Sequence, residues 1–155
     1  MNKIFMTEAI TLSKNKMDAN EGGPFGAVVV RNGAVIGRGW NRVTSANDPT
    51  AHAEIVAIRT ACQALANFQL EGCDLYVNCE PCPMCLAAAY WAGIRKIYYA
   101  ATREDAAAIH FADEHLYREI CLPQGQRSMQ MEQVMRPEAL AVFKLWEQKE
   151  DKILY

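Results

Sequence analysis

His52-Ala53-Glu54 and Cys79-Glu80-Pro81-Cys82-Pro83-Met84-Cys85 constrain this chain more than any other feature. One imidazole and two thiols three residues apart are donors that suit zinc. To meet at one ion, the two segments must be folded onto each other, with a helix after His52 and a returning strand before Cys79. Cys82 and Cys85 share a face if a helix starts there, and Pro83 suits its first position. The positive end of that helix stabilises both thiolates. His52 and Glu54 are two apart, so both reach one ion only from the first turn of a helix. Asp48 as cap and Pro49 as first helical residue place them there. Two helix N-termini are therefore expected to meet at one Zn2+ per subunit, held by His52, Cys82 and Cys85. Three ligands leave a fourth position open, as a catalytic ion requires. A structural zinc would need a fourth ligand, and Cys79 is the candidate.

Around this pair the rest of the chain reads as alternating elements. Residues 2–19 carry two apolar rows at helical spacing, Phe5, Ala9 and Leu12 beside Met6, Ile10 and Met17. Gly22-Gly23-Pro24 ends that helix. Asn32-Gly33 between Ala27–Val30 and Ala34–Ile36 signals a hairpin. A helix is expected from Pro49 to about Ala66, a strand over Asp74–Asn78, a helix over Pro83–Trp91 and a strand over Lys96–Ala100. Residues 102–127 read as short helices and loops, with Arg103, Glu104 and Asp105 in a solvated turn. Ser128–Val134 is a strand candidate and Pro137–Glu150 a terminal helix. The pattern predicts an α/β fold with a mixed sheet, in one domain over residues 1–155.

Composition narrows the function classes. Hydrophobic residues make up 51% of the 155, enough for a core without disulfide staples. The six cysteines then read as metal ligands or core thiols, with Cys62, Cys73 and Cys121 in the core. A net charge of −2 disfavours nucleic acid as partner. No apolar run is long enough to span a membrane. The N-terminus lacks the basic start and apolar block of a signal peptide, so a cytoplasmic protein is expected. Met129, Met131 and Met135 read as strand and core filler. His110 and His115 have no ligand-like spacing.

The order H-x-E…P-C-x-x-C is the signature of zinc-dependent base deaminases. With the flanking segments Gly22–Ala27, Asn47–Glu54, Tyr90-Trp91-Ala92, Asp105–Ala107, Phe111-Ala112-Asp113, Tyr117–Ile120 and the terminal Tyr155, the chain resembles the cytidine-deaminase-like superfamily. Within it, the chain resembles the bacterial guanine deaminases. The zinc motif is specific for the superfamily only, and Asp48–Glu54 is equally similar to tRNA adenosine deaminases. The resemblance implies a three-layer α/β/α fold around a mixed five-stranded sheet. It implies zinc ligands at His52, Cys82 and Cys85, and Glu54 as proton carrier. It places Phe25, Asn41, Ala53, Trp91 and Tyr155 at the purine, with Asp113 as a second acid near the departing amine. Ala112 stands where an acid is common, so Glu114 is a rival to Asp113. A homodimer is implied, with the C-terminal segment covering the active site, in some relatives the partner's.

On the residues alone, a carboxylate beside a metal can deprotonate water and return the proton to the substrate in turn. The reaction implied by the resemblance is hydrolysis of guanine to xanthine and ammonia. A tRNA adenosine deaminase, a cytosine or guanosine deaminase, and a zinc-stapled binding module without turnover remain alternatives.

Overall fold

The computed structural model describes residues 2–111 and 113–154, so Ala112 and Tyr155 lie outside the described residues. The chain forms two compact units, Met1–His115 and Leu116–Tyr155. In the first, helix α1 (Lys3–Asp18) is capped by Asn2, whose side chain accepts the Ile4 N–H. Strands β1 (Gly26–Arg31) and β2 (Ala34–Trp40) form the expected hairpin, with Asn32 and Gly33 at φ 51° and 78°. Strand β3 (Cys73–Cys79) pairs antiparallel with β1 and parallel with β4 (Lys96–Ala101). The sheet is mixed, in the order β2-β1-β3-β4.

Residues Gly26–Val30 of β1 are buried without interruption, so both faces of the sheet must be covered. Val28, Val30 and Tyr76 pack with Phe5 and Met6 of α1. Ala27, Val29, Leu75 and Val77 pack on the other face with residues of α3 (Ala53–Leu65) and α4 (Pro83–Trp91). Ile10 and Met17, expected in an apolar row, are about half exposed. Only one stripe of a helix lying on a sheet can be covered.

The seating of α3 depends on two glycines of β2. A Cβ at Gly39 would stand 2.1 Å from the Ala53 carbonyl, and one at Gly37 would stand 2.4 Å from that of Ala57. On the helix side, Ala53, Ala57 and Ala61 repeat every fourth residue, present small side chains and are fully buried. Backbone therefore meets backbone, and this close approach sets where the first turn of α3 lies.

That turn begins later than expected. Asp48 does not cap a helix starting at Pro49; its carboxylate accepts from the Thr50 N–H at 2.8 Å and the Thr50 hydroxyl at 2.7 Å. This local turn holds the chain out of helix until His52, the N-cap of α3. A short helix α2 (Val43–Ala46) precedes it. Arg103–Asp105, expected as a solvated turn, open helix α5 (Arg103–Ala108) under a capping box between Thr102 and Asp105.

Helix α6 runs Glu114–Cys121. The second unit continues through a 3₁₀ turn (Gln124–Gln126) into α7 (Arg136–Gln148). Among the described residues the sheet has four strands rather than five, because Ser128–Val134 is irregular. Glu119 accepts from the Ser128 N–H and hydroxyl, both at 2.8 Å. Arg127 donates to the Leu122 and Ile120 carbonyls. These local bonds fold the segment back on the end of α6. Met129, Met131, Val134 and Met135 are each more than half exposed, so no buried face selects a strand register. The three methionines are thus not core filler in this chain, and Cys121 is exposed. Cys73 is buried and Cys62 half-buried, as core residues. Among the described residues, no helix is long and apolar enough to cross a membrane.

Candidate active site

The two sequence segments converge through two N-caps. His52 caps α3 and Cys82 caps α4, both in extended backbone, and neither makes a side-chain capping bond. An N-cap side chain normally accepts from the first turn; here the two cap side chains face each other. His52 Nδ1 stands 3.6 Å from Cys82 Sγ. Cys85, in the first turn of α4, completes a group whose donor atoms all lie within 4.8 Å of one another. Zinc bond lengths put tetrahedral N and S donors about 3.6–3.8 Å apart. The donor types and their spacing fit a zinc ion with one position free.

Burial and hydrogen bonding set the protonation of this cluster. Glu54 is 6% exposed, and desolvation pushes its carboxyl up to about 7, against the pull of its own backbone N–H. Cys82 is held down to about 4, first by the Cys85 thiol donating to it and also by His52. Cys85 is driven strongly upward by the same bond and by burial. The contact with Cys82 raises His52. The two sulfurs are thus pushed in opposite directions by the bond between them, and a divalent cation held by both would displace the proton of that bond. Cys79 is different: burial, then the charges of Glu54 and Asp113, push its thiol up to about 11. It donates to the Thr102 carbonyl at 3.6 Å and stands outside the three-donor group.

Beside the donors lies a cavity of about 620 Å³, lined among others by Phe25, Asn41, His52, Glu54, Cys82 and Asp113. This size is ordinary for a small-molecule site. Asn41 is 7% exposed. Its Oδ1 accepts from the Gly23 and Val43 N–H groups, each at 3.3 Å. Both of these bonds use the oxygen, which orients the amide and leaves its NH₂ to donate. Phe25 meets Phe111 edge to face, centroids 4.8 Å apart. Asp113 lines the cavity, and partial burial raises its carboxyl.

Other expected residues are placed differently. Ala53 is fully buried in the core and outside the described lining of the cavity. Trp91, at the end of α4, is 69% exposed and also outside that lining, because the helix points its far end away from the metal cluster. Glu114 begins α6, is exposed, and is not among the described lining. Tyr155 lies outside the described residues. Sequence reasoning missed Asn20 and Thr44 in the cavity wall. Asn20 sits at φ 56°, a conformation asparagine tolerates, and an asparagine shortly before Gly-Gly was the available signal. Thr44 offered none, because the short helix that carries it was not legible.

Comparison with known proteins places this geometry in a family. Residues 1–101 match the model described as the cytidine and deoxycytidylate deaminase zinc-binding region. The guanine deaminase of Bacillus subtilis (strain 168) is 49% identical over 144 residues, 93% of this chain and 92% of that one. A crystal structure of guanine deaminase from Bacillus subtilis superposes with a TM-score of 0.97 at 47% identity, covering 100% of this chain and 99% of that one. A tRNA-specific adenosine deaminase of Agrobacterium fabrum (strain C58 / ATCC 33970) is 47% identical over 105 residues, 68% of each chain.

Proposed function

Because the chain belongs to the cytidine and deoxycytidylate deaminase zinc-binding family, we propose that it hydrolyses guanine to xanthine and ammonia. The observation that carries this reading is likeness to a guanine deaminase over nearly the whole chain, joined to a cavity that sets Asn41, Phe25 and two carboxyl groups beside the three donors. Likeness to the tRNA-specific enzyme covers only 105 residues.

In this reading His52, Cys82 and Cys85 hold zinc, which when bound supplies the Lewis acidity that makes water nucleophilic near neutral pH. Glu54 is the proton carrier. A carboxyl at this position can accept a proton from water and release it again to the ring nitrogen beside the amino-bearing carbon. Asn41 donates its NH₂ to the purine edge, and Phe25 packs on the ring. Asp113 takes the proton of the added hydroxyl as it becomes the carbonyl and passes it to the amine, which leaves as ammonia. Burial of Glu54 and Cys85 excludes water from competing proton transfers.

The test is ammonia release by purified, zinc-loaded protein from guanine, guanosine, adenine, cytosine and a tRNA anticodon stem. Release from guanine alone is expected; silence on guanine with activity on another substrate would reject the assignment. The two acids separate in the same assay. Asp113→Asn is expected to lower kcat about a hundredfold and Glu114→Gln to leave it within about twofold, since only Asp113 is at the cavity. Full turnover in Asp113→Asn would remove that role.

A homodimer and a cytoplasmic location belong to the same proposal. The dimer is supported by Phe143, Leu145 and Trp146 of α7, which are 67%, 67% and 43% exposed. Apolar surface of this kind on one helix marks a contact with another protein.

A further inference from the structure

The geometry points to Asn78 as a positioning residue that fixes the base-holding loop against the strand that leads to Cys82 and Cys85. This inference rests on the guanine reading for its kinetic consequence, though not for its structural one.

Asn78 lies on β3 just where that strand stops pairing with β1. The backbone register between them ends at Ala27 opposite Val77. One residue further, the Gly26 N–H is taken by the Asn78 side chain, with Oδ1 accepting at 2.9 Å. The same amide donates through Nδ2 to the Pro24 carbonyl at 2.8 Å and to Ser13 Oγ at 3.3 Å. Ser13 is 5% exposed and donates onward to the Ile10 carbonyl at 2.8 Å. A side-chain amide thus imitates one further rung of the ladder. Only a group with both an acceptor and N–H donors can do so.

Phe25 is the residue between the two clamped peptide groups. Its carbonyl in turn accepts from the Asn41 N–H at 3.0 Å, and Asn41 Oδ1 accepts from Gly23. The aromatic and the amide at the cavity therefore hang from one clamp. Its anchor is one residue before Cys79 on the strand that leads to Cys82 and Cys85. Asn78 is outside the described cavity lining, so it acts through Phe25 and Asn41 and does not touch substrate.

Asn78→Asp keeps the acceptor for Gly26 but loses both donors and sets a carboxylate against the Pro24 carbonyl. Asn78→Ala removes all three bonds and serves if the first variant does not fold. Zinc-loaded variants are compared with wild type in two ways. Amide hydrogen exchange at Phe25, Gly26 and Asn41 is expected to speed up at least about tenfold, with the rest of the sheet unchanged. The KM for guanine is expected to rise about tenfold with kcat within about threefold, the pattern of lost ground-state binding. Unchanged exchange at those amides would overturn the clamp. So would faster exchange throughout the sheet, or a fall in kcat at constant KM, because either marks a general structural role. Wild-type turnover in the same assay checks the guanine reading separately. A wild type silent on guanine would reject that reading, and the exchange rates would still decide the clamp.

Discussion

Glu54→Gln is expected to bind zinc at the wild-type stoichiometry and to release ammonia from guanine about a thousandfold more slowly. The amide has the size of the carboxyl but carries no transferable proton, and it is not a ligand in the three-donor group. Elemental analysis of the dialysed variant and single-substrate kinetics measure the two halves. Retained turnover with full zinc would remove Glu54 from the chemistry. The same substitution should also stabilise the metal-free protein above neutrality. Unfolded, Glu54 ionises near 4.5; folded, burial holds its proton to about 7. Between those values the folded state binds the extra proton, so stability falls as pH rises through the window. Above pH 7 the buried charge costs about 3 kcal/mol. Thermal melts of chelator-treated protein should therefore show the variant above wild type at pH 8 and level with it near pH 4.5. Equal melting temperatures at both pH values would contradict the burial argument.

Cys85→Ser is expected to lose most of its zinc on dialysis and at least about a hundredfold in turnover, a larger loss than removal of an outer-shell partner causes. Cys85 is fully buried, and among the described residues only His52 and Cys82 stand with it in the donor group. In the metal-free site Cys85 keeps its proton by donating to the Cys82 thiolate. Zinc binding must release that proton, so wild-type affinity rises with pH and calorimetry in buffers of different ionisation enthalpy should detect proton release. The serine variant should bind weakly with less release. Tight zinc binding by Cys85→Ser would mean that another group completes the site.

Much of this arrangement was readable from residue order. Asn32-Gly33 predicts the hairpin because both positions tolerate positive φ, and the strands flank it as expected. The metal cluster was legible because residue type and spacing narrow the choices to one chemistry. What failed did so for local reasons. Asp48-Pro49 carries the signal of a helix start, yet Thr50 supplies two donors to the Asp48 carboxylate and makes a turn instead. His52 and Glu54 still fall at the helix end, one as its cap. Ser128–Glu132 alternates in polarity, but Ser128 bonds Glu119 and the neighbouring Arg127 bonds the end of α6. Trp91 is apolar and near the motif in sequence, and the helix carries it to an exposed end. Asn78 gave no signal at all, since a polar residue ending a strand is ordinary until its partners are known.

The seating of α3 on Gly37 and Gly39 has a consequence for redesign. His52 and Glu54 ride on one helix end, whereas Cys82 and Cys85 ride on another. A side chain added at position 39 would collide with the Ala53 backbone and push the first pair away from the second as a rigid block. The interval between imidazole and sulfur would widen, although no substituted residue touches either. Attempts to broaden substrate range are therefore best confined to Phe25 and Phe111, which line the cavity from outside that joint. Randomising the edge strand would produce inactive proteins whose lesion lies a layer away from the chemistry.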